Sequence, residues 1–550
     1  MRRYISTVFL PFLLFISGCG KNVNESVQSR INKFHPVELS CDLSRLHASD
    51  RAALKLLVKA SQRMDSLFLH QVSENNSVLL ADLLRSRTRE GADSLSFFRL
   101  MFGPWDRLEG DEPVLTNRPK PLGANFYPED MDRAEFESWL KAHPGDREAF
   151  EGNFTVIRRR DGVPAAIPYS EFYRDQLESA AEILHRAART TKDPSLAAYL
   201  ESRARAFMTN DYFDSDVKWM DLSGDVEVVI GPYEVYEDRL FGYKAAFEAF
   251  LCVVDRPLSD KQREIIGTLD AMEKALPLPP EYQRYSRGKA SPIKVVDLVY
   301  SAGDTKAGVQ TTAFNLPNDE RVRQAKGSKK VMLKNVMRAK FETCWIPIVQ
   351  AALAPQDLRR VSFDAYFYET LMHEISHGLG PGQITVGGQE TTVNKALKDQ
   401  YSVVEECKAD VLGLLNTQFL IDHGILPRSL EHSLYATTLG GMFRSIRFGI
   451  EEAHGGGVAI QLNHYLDQGA FRVEPDGRFS VDDARMKASV ASLAAELLLI
   501  QAKGDYEGAK AFVQKNRFLR PEVAAALKKL EAVPVDIRPV YPIEGEIPHD

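Results

Sequence analysis

Along much of the chain, apolar residues recur every three or four positions. The stretches "SDRAALKLLVKASQRMDSLFLHQV" (49–72) and "YRDQLESAAEILHRAART" (173–190) each place their apolar side chains on one face of a helix. The pattern changes at "GDVEVVIGPYEVYED" (224–238), where β-branched and aromatic residues predict strands. "SPIKVVDLVYSAGD" (291–304) and "GVQTTAFNLPNDERVR" (308–323) predict further strands separated by turns. Helical periodicity returns from about 341 to 515. The tail "VPVDIRPVYPIEGEIPHD" carries four prolines and reads as extended. These periods predict an α+β protein with a minor β core and a large helical part. At 550 residues the chain exceeds one ordinary core, which predicts two lobes.

The first residues follow a different logic. "MRRY" is basic, "ISTVFLPFLLFI" is apolar but too short to span a bilayer, and "ISGC" ends on Cys19. This order resembles a bacterial lipobox. It predicts a signal peptide over 1–18, lipid attachment at Cys19, and export to the cell envelope. Gly20 after the cysteine leans toward the outer membrane, facing the periplasm. A polar stretch follows, so residues 19–40 are expected to act as a tether. Cys41, Cys252, Cys344 and Cys407 are widely spaced and form no CxxC, which favours small buried side chains over a disulfide framework.

Composition narrows the partners. The chain is 44% hydrophobic and 26% charged, with a net charge of −7, and its basic residues form no cluster beside a nucleic-acid motif. No nucleic-acid partner is expected.

The chemistry lies in "FDAYFYETLMHEISH" (363–377). Ser362 precedes it as an N-cap, and Gly378, Gly380 and Pro381 follow it. On a helix, His373 and His377 share a face and can bind one metal ion. Glu374, beside them, can take a proton from a metal-activated water. A catalytic zinc site needs a third protein ligand and an open position. "YSVVEECKADVLGLL" (401–415) supplies Glu406, 29 residues after His377, with Asp410 on the same helix face and Glu405 next to it. Asp410 is placed to accept the free N–H of a zinc histidine, and Glu405 to orient a neighbour. His454 and His464 have no ligand spacing and read as packing or helix-end residues.

Taken together, these residues resemble the dipeptidyl peptidase III family of zinc exopeptidases. "EECKAD" is close to its second zinc motif. "YEVYEDRLFGYKAAFEAFL" (233–251) resembles its substrate-binding stretch, and "NLPNDERVRQAKGSKKVMLKNV" (315–336) its peptide-docking strand. "FRSIRFGIEEAHGGG" (443–457) resembles a later cleft segment, most like the peptidase half of certain plant fusion proteins. The resemblance runs from about 220 to 470. It implies a largely helical upper lobe that holds one zinc ion, a lower lobe on a small β-barrel core, and a wide cleft between them. On that basis the lower lobe takes 41–256, 301–344 and the tail 516–550, and the upper lobe takes 257–300 and 345–515. The resemblance also implies roles. Glu234 holds the free amino terminus of a peptide, Tyr236 hydrogen-bonds the oxyanion, and Glu248 supports the amine subsite. Asn315, Leu316, Pro317 and Asn318 offer backbone to the peptide, and Arg447 helps to bind it.

Two departures stand out. The family has one more residue between the first glutamate and the second histidine, and its cleft histidine falls on Phe443 here. The expected function is a zinc metallopeptidase, a monomer held by a lipid anchor, that releases dipeptides from the free N-terminus of short peptides. An endopeptidase or other amide hydrolase, and a non-catalytic peptide-binding lipoprotein, are the alternatives.

Overall fold

The computed structural model describes residues 25–283 and 292–547. Cys19 and the signal peptide therefore lie outside the described residues. Among the described residues no helix is long and apolar enough to cross a membrane.

The elements that position the site are, in chain order, helix α1 (Val27–Asn32), strand β1 (Phe34–Glu38), helix α2 (Ala48–Val72) and the strands β2 (Val226–Glu234), β3 (Ala246–Val254), β4 (Ile293–Gly303), β5 (Ala313–Leu316) and β6 (Lys329–Leu333). The helices α3 (Phe363–Ser376), α4 (Tyr401–Asp422), α5 (Glu431–Ile446), α6 (Ala453–Asp467) and α7 (Asp483–Lys503) and the strand β7 (Asp536–Val540) follow. Strands β2 to β6 form one five-stranded sheet in the order β2-β3-β4-β6-β5. All pairs are antiparallel except β4 with β6. The sheet is open, with β2 and β5 at its edges, so the closed barrel that the resemblance implies is not formed. Every residue of β3 is buried, as expected for a central strand covered on both faces; α2 packs on β3 and β4.

Two apolar cores organise the chain. One gathers α2, the helices before the sheet, and most of the sheet. The other gathers residues from Ile265 to Val295 and the helices from Phe341 to Leu530. Strand β6 belongs to both. Val331 and Leu333 point into the first core, and Met332, on the opposite face, into the second.

The chain ends differ from expectation. Residues 19–40 are not a tether throughout, because α1 and β1 fold onto the body. Phe34 is buried, Arg30 pairs with Asp106 at 2.6 Å, and β1 pairs in parallel with β7. In the tail, Val523, Ala526 and Leu530 pack in the second core and only Ile537 onward joins the first. Residues 521–533 therefore pack with the second core, since apolar residues spaced on one helix face, Pro521–Lys528, follow the helical core.

Candidate metal centre

Helix α3 starts where expected. The Ser362 hydroxyl accepts from the Ala365 N–H at 3.1 Å, and the helix ends at Ser376 with His377 as its C-cap. Its last carbonyls are covered by a buried lysine: Lys408 of α4 donates to Ser376 O at 3.0 Å and to Leu379 O at 3.1 Å. Helices α3 and α4 meet backbone to backbone at the site. A Cβ on Gly413 would stand 3.0 Å from the main-chain nitrogen of His373, a tighter contact than most side chains make, so a larger residue there would need the helices to shift. On the far side of α4, a Cβ on Gly457 of α6 would stand 3.0 Å from Cys407 N.

This packing brings together the three residues read as ligands. The donor atoms of His373, His377 and Glu406 all lie within 4.8 Å of one another. The Glu406 Oε2 atom faces His373 Nε2 at 3.4 Å and His377 Nε2 at 3.7 Å. Each imidazole is fixed from behind. Asp410 Oδ1 lies 2.6 Å from His373 Nδ1, and Glu405 Oε1 lies 2.9 Å from His377 Nδ1. Those contacts put the proton on Nδ1 and turn the Nε2 lone pairs toward Glu406. The supports are themselves supported: Gln461 donates to Asp410 at 2.9 Å, and Gln501 and Lys408 hold Glu405 at 2.8 and 2.9 Å. The sequence put Asp410 within reach of a motif histidine and left Glu405 without a specific partner; in the structure Asp410 meets His373 and Glu405 meets His377.

The electrostatics favour a cation. Burial lowers the pKa of His373, but Asp410 and Glu406 outweigh it and push the imidazole up to about 10. Burial raises Glu405, yet His377, Lys408 and Gln501 bring it down to about 2. Glu406 Oε2 is buried and has no hydrogen-bond partner. A buried carboxylate oxygen without a hydrogen-bond partner, faced by two imidazole Nε2 atoms at 3.4 and 3.7 Å, is what a metal ion that displaces the proton of His373 would satisfy. The two-nitrogen, one-oxygen donor set fits zinc.

Glu374 sits beside this set and not in it. Burial raises its pKa, but Lys330 of β6 lies 2.8 Å from Glu374 Oε2 and leaves the carboxyl below its ordinary range. Two residues near the site were missed from sequence. Lys330 is one. His454, set aside as a packing residue, is the other: its Nδ1 lies 3.2 Å from Glu406 Oε2, and the side chain is 59% exposed. Neither has a spacing relation to the motif, because α6 and β6 reach the site only through tertiary packing. Phe443, where the family has its cleft histidine, is fully buried against Phe479.

The residues matched to a substrate cleft divide. Glu234 ends β2, Glu248 is the third residue of β3, and Tyr236 follows in the turn after β2. Glu248 is 3% exposed, and no basic side chain among the described residues pairs with it or with Glu234. Burial, then the neighbouring charges of Asp304 and Glu234, raise Glu248 well above the usual carboxylate range. Burial also raises Glu234, while Asn318 offsets part of that shift. Tyr236 is 77% exposed, its hydroxyl raised first by Glu234. Asn315 lies on the edge strand β5 and is exposed, whereas Leu316 and Pro317 are buried. Asn318 donates to Tyr233 O at 3.1 Å. Arg447 is a correction. Its guanidinium donates to the carbonyls of Leu530, Val533 and Pro534 at 2.9–3.3 Å, so it fastens the tail to α5.

Comparison with known proteins agrees with this geometry. Residues 165–400 match the model of peptidase family M49. Nudix hydrolase 3 of Arabidopsis thaliana is 38% identical across 94% of this chain and 74% of its own length. Human dipeptidyl peptidase 3 is 25% identical across 69% of this chain and 56% of its own. The structure of DPP III from Caldithrix abyssi superposes with a TM-score of 0.92 at 50% identity, covering 95% of this chain and all of that one. DPP III from Corallococcus sp. strain EGB follows with a TM-score of 0.78 at 45% identity, covering 95% and 98%. With a donor set, a neighbouring glutamate and a near full-length match all in agreement, the chain is a metallopeptidase of family M49, the dipeptidyl peptidase III family.

Proposed function

We propose that this metallopeptidase uses one zinc ion to release dipeptides from the free N-terminus of short peptides. The observation that carries the reading is the pair of imidazoles locked by Asp410 and Glu405 so that both Nε2 atoms converge on the orphaned Glu406 oxygen, with Glu374 at their side. A zinc ion held by His373, His377 and Glu406 would polarise the scissile carbonyl and acidify a water. Glu374 takes the proton of the attacking water and passes it to the departing amine. The Tyr236 hydroxyl donates to the oxygen of the tetrahedral intermediate, a hydrogen bond worth about 2.7–4 kcal/mol in comparable sites. Glu234 and Glu248 receive the ammonium of the substrate, and the outer edge of β5 accepts the peptide as an added strand. An N-terminal acyl group cannot pair with the two carboxylates, which confines cleavage to free termini.

The chelated protein tests the metal. One equivalent of zinc should restore hydrolysis, Glu406→Gln should require far more, and Glu374→Gln should bind zinc normally yet stay inactive. Full activity after complete metal removal would contradict the reading. The order of basic, apolar and small residues before Cys19 supports a lipid anchor on the bacterial envelope. Cys19→Ala should then lose labelling by a fatty-acid probe, and retained labelling would refute the anchor.

A further inference from the structure

The two faces of strand β6 serve different cores, and this puts Lys330 in a particular place. Lys329, Val331 and Leu333 face the first core, where Lys329 pairs with buried Glu227 at 2.8 Å. Lys330 and Met332 face the other way, toward α3. Lys330 is in register with Asn315 of β5, the edge strand offered to the peptide. Its Nζ makes two contacts, both with one residue of α3: the Glu374 carboxylate at 2.8 Å and the Glu374 main-chain carbonyl at 2.9 Å. That carbonyl is in the last turn of α3, where helical carbonyls lack intrahelical donors. Gripping the backbone and the carboxylate of the same residue fixes the side-chain torsions between them.

We propose that Lys330 is a positioning residue for the general base: it holds the Glu374 carboxylate at a set distance from the peptide-docking strand, so that docking on β5 and orientation of the base are fixed by the same two-strand unit. The inference rests on the peptidase reading. Three features favour it over an ordinary surface ion pair. The lysine side chain is 20% exposed and the glutamate 31%, so solvent screens the pair only in part. Both of its acceptors belong to one residue. The pair also links the two cores at the site of reaction. Lys330 acts through Glu374 and makes no contact with the metal donors in the structure.

A misplaced base slows the chemical step and leaves docking intact, and an error of about 1 Å costs on the order of 100-fold. The test uses the full-length, zinc-loaded chain in detergent and a hexapeptide with a free N-terminus. Lys330→Met should lower kcat about 100-fold with KM within about twofold. Lys330→Arg, which keeps a donor of similar reach, should recover part of the loss. In the inactive Glu374→Gln background, calorimetry should give the same peptide Kd with and without Lys330→Met. An unchanged kcat in Lys330→Met overturns the proposal. So does a matching loss of peptide affinity in the Glu374→Gln background, which would make Lys330 a substrate-binding residue. If Lys330→Met does not fold, a Lys330→Arg enzyme with no change in kcat and a Lys330→Gln enzyme with none would overturn it equally. A wild-type chain that releases no dipeptide removes the peptidase reading itself, a result distinct from an active wild type that is indifferent to Lys330.

Discussion

At the residue scale, the centre depends on carboxylates that bind no metal. Asp410 and Glu405 each fix one imidazole, and each is held by a glutamine from another helix. Removing such a support typically costs 10–100-fold in metal affinity. Asp410→Ala should therefore weaken zinc binding about 10–100-fold in competition with a chromogenic chelator; an unchanged affinity would mean the imidazole is oriented without it. The proposed amine subsite has an expected pH signature. A carboxylate must be ionised to hold an ammonium. Burial, Asp304 and Glu234 raise the pKa of Glu248, so capture fails as pH falls through a value above the ordinary one of about 4.3. Glu374 is shifted the opposite way and stays ionised to lower pH. The acid limb of kcat/KM should lie above the usual carboxylate range and move in Glu248→Gln; a limb at ordinary values that ignores Glu248 would contradict the assignment. At this scale the motif residues were readable because helix geometry fixes i, i+4 neighbours. Lys330 and His454 were not, because their proximity comes from a strand and a helix folded against the motif from elsewhere.

At the element scale, the donor set depends on how closely α4 can approach α3. Gly413 permits that contact at His373 itself. Gly413→Ala should push the helices apart, lower stability by about 1–3 kcal/mol, and weaken zinc binding more than a core alanine elsewhere. Denaturant midpoints and metal titration check both, and a variant with wild-type metal affinity would show that the contact does not set the site. The two helices that carry the donor set were legible from apolar period and capping, and so was the strand content. The closure of the sheet was not. Local alternation predicts strands but not whether β2 and β5, the two edges, meet. Arg447 was misread for a related reason: its position after α5 matched a family pattern, while its partners come from the tail 83–87 residues later.

At the scale of the whole molecule, β4 and β6 have residues in both cores, and the pairing of the chain's ends fastens the tail beside the first core. Strand β7 lies beside β1, and Asp536 within it is fully buried, paired with Lys340 at 2.9 Å and accepting from the Gln310 N–H at 2.7 Å. Breaking a buried pair by removing one partner costs about 3–5 kcal/mol. Asp536→Ala should lower stability by about that amount, and a loss under about 1 kcal/mol would show that the tail is dispensable. The pairing also explains why residues 27–38, polar in character and read as part of a tether, are ordered. Their partner strand lies at the other end of the sequence, where no local pattern announces it.

The central claim is that this M49 enzyme recognises a free amino terminus and cuts after the second residue. The most direct measurement is product mass spectrometry on an octapeptide and its N-acetylated twin, with the full-length, zinc-loaded chain. The account predicts dipeptide from the free peptide, none from the acetylated one, and neither in Glu374→Gln. Internal cleavage of both peptides at similar rates would contradict it.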